Sequence, residues 1–158
     1  MIIYIGADHR GFALKKMLIE ALQSDGHEVI DGGAAALDPA DDYPDFAGMV
    51  AEKVAAGGAT SAAPDIRGIV ICGSGFGVDI VANKFNGVRS ALAMSPEHIR
   101  IGRHDDDVNV LSLPADFMAP ETALATARAF ISTSFERDTA RYVRRIQKIT
   151  QVEGNNKK

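Results

Sequence analysis

Cys72-Gly73-Ser74-Gly75-Phe76-Gly77 sets a lone thiol directly ahead of three glycines at alternate positions. Glycine permits the backbone angles that turn a strand sharply into a helix, and such a turn offers several amide N–H groups to an anionic oxygen. The same amides would favour a thiolate at Cys72. Two readings fit these residues: Cys72 as an acid–base group beside an anion cradle, or an inert buried thiol before a tight turn. A second polar string, Gly6-Ala7-Asp8-His9-Arg10-Gly11, follows the first apolar run. Asp8 and His9 suit a general acid and a substrate clamp, and equally a helix cap and a surface imidazole. Arg141 and Arg145 lie four apart on one helix face, which suits gripping a phosphate or carboxylate, or simply a solvated surface.

Other chemistries fail on spacing. A dinucleotide fingerprint needs G-x-G-x-x-G after the first strand, and a P-loop needs Gly-Lys-Ser or Gly-Lys-Thr; neither string occurs. His9, His27, His98 and His104 fall on separate elements with no paired ligand spacing, so neither a metal nor a cofactor is expected. With 17 Lys and Arg against 21 Asp and Glu, the net charge of −4 gives no basic excess for nucleic acid or anionic lipid. A single cysteine allows no intrachain disulfide, and Met1 to Ile5 is too short for a secretory core or membrane span. A cytoplasmic enzyme or binding protein is the expectation.

Positioning these residues requires a scaffold, and 158 residues, 46% of them hydrophobic, suffice for one domain. Five short β-branched runs, Ile2 to Gly6, Glu28 to Asp31, Gly68 to Cys72, Arg89 to Ala93 and Asn109 to Leu113, alternate with stretches of helical period. That alternation predicts an α/β fold with a mostly parallel sheet. Phe12, Leu14, Leu18, Ile19 and Leu22 make one apolar stripe on a helix ending near Gly26. Tyr43 to Ala56 predicts another helix, with Pro44 in its first turn, and a further helix follows Gly77. The stretches Gly32 to Asp42 and Gly57 to Asp65 read as exposed loops. Pro120 to Ile131 and Phe135 to Ile149 predict the last two helices. The second of these has a spare apolar stripe expected to dock on a partner subunit, giving at least a homodimer. The domain is expected to span 1–150, with 151–158 a frayed tail.

The strings GADHRGF, DDYPDFA, ICGSGFGVDIVANKFNGVRSALA and RYVRRI together resemble the type B ribose-5-phosphate isomerases, a group that includes galactose-6-phosphate isomerase. The resemblance runs from about Met1 to Ile149. It implies a single Rossmann-like domain with a five-stranded parallel sheet between helices, a homodimer or dimer of dimers, no metal, and an active site between subunits. The implied reaction is aldose–ketose isomerisation of ribose 5-phosphate and ribulose 5-phosphate through an enediolate. Cys72 would be the base, with Val78 standing where some relatives carry a glutamate. Ser74 and the amides of Gly73, Gly75, Phe76 and Gly77 would hold the oxyanion. Asp8 would contact sugar hydroxyls, His9, Arg141 and Arg145 the anionic end, and Tyr43 the pocket wall.

Two departures stand out. The family's ring-opening His-Asn pair falls on Asp105 and Asp106 in this register, and His104 serves only if a loop slips by one residue. A phosphate-contacting arginine beyond the fifth strand is replaced by Asp116, whose carboxylate would repel a phosphate. These replacements raise two alternatives: the same chemistry on another aldose phosphate or an unphosphorylated sugar acid, or a binding module without catalysis.

Overall fold

The computed structural model describes residues 1–57 and 65–156. Its elements are β1 (Ile2–Ala7), α1 (Phe12–Ser24), β2 (Glu28–Asp31), α2 (Tyr43–Gly57), β3 (Ile66–Cys72), α3 (Phe76–Ala82), β4 (Ser90–Leu92), α4 (Pro96–Asp106), β5 (Val110–Pro114), α5 (Pro120–Ser132) and α6 (Ala140–Asn155). All strand pairs are parallel, in the order β2-β1-β3-β5-β4. The expected five-stranded Rossmann-like sheet is therefore present. Most of the stretch read as a loop from Gly57 to Asp65 lies outside the described residues.

Burial on both faces explains the near-continuous apolar strands. In β3, Ile69 and Ile71 join Leu14, Leu18 and Leu22 of α1 and Phe130 of α5 on one face. Val70 and Cys72 point the other way, into the cluster with Val50 of α2 and Val78 and Ala82 of α3. The thiol of Cys72 therefore lies on the α2/α3 side.

The chain leaves β1 towards β2, then crosses back over β1 to β3. Beyond the carboxyl ends of β1 and β3 this reversal opens a crevice, the place where such sheets hold ligands. The two polar strings begin there, at Asp8 and Gly73. A second crossing puts β4 at the edge and β5 inside.

Three expectations need correction. Residues 103–107, read as a loop, largely form the end of α4, a helix the apolar periodicity missed because only Ile99 and Arg103 of it are buried. Its start was nonetheless encoded: Ser95 Oγ accepts from the His98 amide at 3.2 Å, and Pro96 follows the cap. The terminal helix begins at Ala140 rather than Phe135, since residues 133–139 run irregularly along α4, where the Glu136 amide bonds the His104 carbonyl at 3.0 Å. It also continues to Asn155, so residues 151–155 are helical rather than a frayed tail, tied at one point by Glu153 Oε1 accepting from the Gly87 amide at 3.0 Å.

Candidate active site

The turn after β3 requires its glycines. Gly75 adopts φ 77°, a left-handed angle that side chains resist, and a Cβ there would lie 2.5 Å from Leu92 Cδ1. A Cβ on Gly77 would lie 2.6 Å from the Tyr43 ring, so Gly77 seats that ring against the loop. Cys72 is 4% exposed, and the Gly75 amide donates to its Sγ at 3.2 Å. A donor aimed at sulfur stabilises negative charge developing there when the thiol gives up its proton. The amides of Ser74, Phe76 and Gly77 have no backbone acceptor among the described residues, so they remain available to an anionic oxygen.

Beside this loop, the end of β1 supplies Asp8, His9 and Arg10. Asp8 is 5% exposed and its Oδ1 accepts from the amides of Arg10 and Gly11, both at 3.0 Å. Asp8 thus closes the turn ahead of α1 rather than capping the helix, whose N-cap is Gly11, and both of these bonds fall on one carboxylate oxygen. His9 is fixed by Asp41, whose Oδ1 accepts from the His9 amide at 2.9 Å and meets His9 Nδ1 at 2.7 Å. That bond, aided by the charges of Asp8 and Asp41 and opposed by desolvation and Arg10, raises the His9 pKa above 6.5. The segment 32–42 is exposed over most of its length, yet it folds back to deliver Asp41. Turns at Asp38, which accepts from the amide of Ala40 at 3.0 Å, shape the return. Lys15 holds the start of the segment from beneath, with Nζ 2.7 Å from Asp31 Oδ1 and 2.9 Å from the Ala34 carbonyl.

Asp116 does not stand uncompensated. Arg10 forms an ion pair with it. The expectation that this carboxylate opposes an anionic ligand is corrected on that ground: charge from the β1 loop cancels it, across residues more than a hundred positions apart. Sequence reading missed the roles of Arg10 and Asp41, because nothing local says which acid a basic side chain will reach.

Among the described residues, the remaining expected residues gather elsewhere. His104 Nδ1 lies 2.6 Å from Asp105 Oδ1, and its ring meets Tyr142 edge-on at 5.8 Å. The hydrogen bond from His104 is the main reason the Asp105 pKa is lowered, with Tyr142 and Arg141 adding to it against desolvation. Arg141 and Arg145 lie over the same Tyr142 ring, at 4.7 and 5.9 Å. Glu136, which sequence reading did not single out, closes the group 3.9 Å from His104 Nε2. Asp106 is separate: it lines a groove of about 210 Å³ with Ala91, His98, Ile99 and Ile101.

Topology puts these two groups towards opposite ends of the strands. A helix between parallel strands runs back against them, so the end of α4, carrying His104 and Asp105, lies near the start of β5. Cys72 ends β3 opposite Pro114, four residues or about 13 Å beyond the Gly68 that pairs with the start of β5. Within one chain, His104 and Arg141 do not approach Cys72.

The His9–Asp41 pair gives a pH prediction. A group with a raised pKa in the folded protein keeps its charge to higher pH, and its stabilising contribution is full below about 6.5 and lost as pH rises through the raised value. Affinity for an anionic ligand should therefore fall as pH climbs through that value. Asp41→Asn should move the fall to lower pH, measured as KM or Kd against pH; an unmoved profile would remove His9 from anion binding.

Comparison with known proteins bears on the same segments. The model of the Ribose/Galactose Isomerase family matches residues 3–149. The probable ribose-5-phosphate isomerase B of Mycoplasma pneumoniae is 38% identical over 151 residues, covering 96% of this chain and 94% of that protein. Ribose-5-phosphate isomerase B of Mycobacterium tuberculosis is 39% identical over 153 residues, covering 97% and 90%. Among solved structures, ribose-5-phosphate isomerase B of Mycoplasma genitalium with bound ribulose 5-phosphate superposes with a TM-score of 0.89 at 38% identity, covering 97% of this chain and 96% of that one. Likeness of this extent reaches both polar strings and the sheet order that brings them together, and the chain belongs to the Ribose/Galactose Isomerase family.

Proposed function

We propose that this protein is an aldose–ketose isomerase interconverting ribose 5-phosphate and ribulose 5-phosphate. The observation that carries the reading is the switch-point crevice, where a buried thiol meets an amide-lined turn beside Asp8 and a His9 held by Asp41, in a chain whose relatives are ribose-5-phosphate isomerases B. A binding module has no use for a thiol base in this position.

Cys72 takes the proton from C2 of the open-chain aldose and returns it to C1, passing through an enediolate. Ser74 and the amides of Gly73, Phe76 and Gly77 hold the oxygen on which negative charge develops, the expected Gly75 amide being given instead to Cys72 Sγ, and Tyr43 covers the substrate. Asp8 holds a sugar hydroxyl through the carboxylate oxygen that does not bond the Arg10 and Gly11 amides. His9 meets the anionic end. His104, aligned by Asp105, opens the sugar ring, and Arg141 and Arg145 complete the anion site; Asp106 stands apart from both groups, at the groove beside β4.

Because His104 and Arg141 lie towards the opposite end of the strands from Cys72, they serve the Cys72 of a second copy, which makes the working unit a homodimer with sites between subunits. The docking of α6 on that partner, with its exposed Ile149 and Val152, belongs to the same reading. No helix among the described residues is long and apolar enough to cross a membrane, and a cytoplasmic setting accords with the substrate and the free thiol.

The test is an assay of ribose 5-phosphate and ribulose 5-phosphate interconversion in deuterated water. Exchange into the carbon-bound position with turnover supports the reading, and binding without exchange or turnover overturns it. Dialysis against a strong chelator should leave the rate unchanged, since the proposed oxyanion donors are amides and Ser74. A loss restored by a divalent ion would put a metal into the mechanism.

A further inference from the structure

Arg10 and Asp116 reach towards each other from the ends of β1 and β5, which flank β3. Their pair lies directly over the backbone of Gly73: a Cβ there would stand 2.5 Å from Asp116 Oδ2 and 2.6 Å from Arg10 Nε. A side chain at Gly73 would have to displace the pair, which roofs the residue next to Cys72. Asp116 is itself anchored, its amide donating to the Gly73 carbonyl at 3.0 Å. The Arg10 side chain is 58% exposed, and its Nη2 is the atom engaged by Asp116. A guanidinium has five N–H donors in a planar fork, so one face of Arg10 is held while the rest is presented to the crevice.

We infer that Arg10 is a specificity-determining residue that binds the phosphate of the sugar substrate, and that Asp116 is a positioning residue acting through it. This rests on the isomerase reading and deepens it. Arg10 brings guanidinium donors to the loop that carries His9, whose Nδ1 is committed to Asp41. Asp116 lowers the entropy of a long exposed side chain and aims its free donors, at the cost of part of its charge.

The coupling between the two residues separates this role from a merely structural clamp. Arg10→Ala should weaken ribose 5-phosphate and inorganic phosphate, measured as Kd by calorimetry, by about 10- to 100-fold, the range of a charge-assisted hydrogen bond. The change should appear in KM, with kcat altered far less. Asp116→Ala alone should weaken binding modestly. In the Arg10→Ala background, however, Asp116→Ala should restore affinity, because an unpaired carboxylate then repels the phosphate. Arg10→Lys should recover part of the loss. Unchanged Kd values in Arg10→Ala, or a lower melting temperature and kcat with unaltered phosphate binding, would overturn the inference. Turnover by the unaltered protein judges the isomerase reading separately, while phosphate affinity judges Arg10 whether or not ribose 5-phosphate is turned over.

Discussion

Alanine at Cys72 is expected to lower kcat for ribose 5-phosphate by at least about 10²-fold, the usual loss on removing an acid–base group, with KM nearly unchanged. Its Sγ takes no part in holding the phosphate or the sugar hydroxyls, so binding survives when proton transfer does not. Truncating this small buried side chain removes one bond, from the Gly75 amide, and little volume, so a cost near about 1 kcal/mol should leave the fold intact. Cys72→Ser restores the shape without the chemistry, an alcohol being a far weaker acid than a thiol, and should be nearly as slow. Steady-state kinetics with a thermal melt on each variant decides the matter: an alanine variant within severalfold of the parent rate removes Cys72 from the reaction.

Mixing two dead variants should produce a live enzyme. If each site joins Cys72 of one subunit to His104 and Arg141 of the other, Cys72→Ala and His104→Ala homodimers both fail at every site. A mixed dimer then carries both lesions in one site and neither in the other. Random reassortment makes half the dimers mixed, so activity should return to about a quarter of the parent value. The measurement is turnover after the two variants are unfolded and refolded together, against each refolded alone. Persistent inactivity of the mixture, with mixed dimers demonstrated by tagged subunits, would mean that the two groups do not serve one site.

The two predictions depend on different kinds of information in the chain. Cys72 was readable as a candidate because its signal is local: a strand, a thiol and three alternating glycines are contiguous, and the turn they form is fixed by their own backbone preferences. Strands were legible for a related reason, since a β-branched run buried on both faces leaves a near-continuous apolar signature, as from Ile69 to Cys72 of β3. The helix α4 was not, because its surface is polar around most of its circumference and only its Ser-Pro start announces it.

What the sequence by itself determined, then, is the alternation of strands and helices, the two polar strings at strand ends, and the likeness to a family. The tertiary structure alone decided the charge partners. Asp41 reaches His9 across 32 positions, and Arg10 after β1 meets Asp116 after β5 across the end of the one strand between them. Ion pairs depend on distance through space, which chain separation does not encode, whereas glycine turns and apolar periods depend on neighbours along the chain. The same reason separates Cys72 from His104: parallel crossovers return the end of α4 to the amino-terminal ends of the strands, and only the assembled topology shows that one chain cannot bring them together.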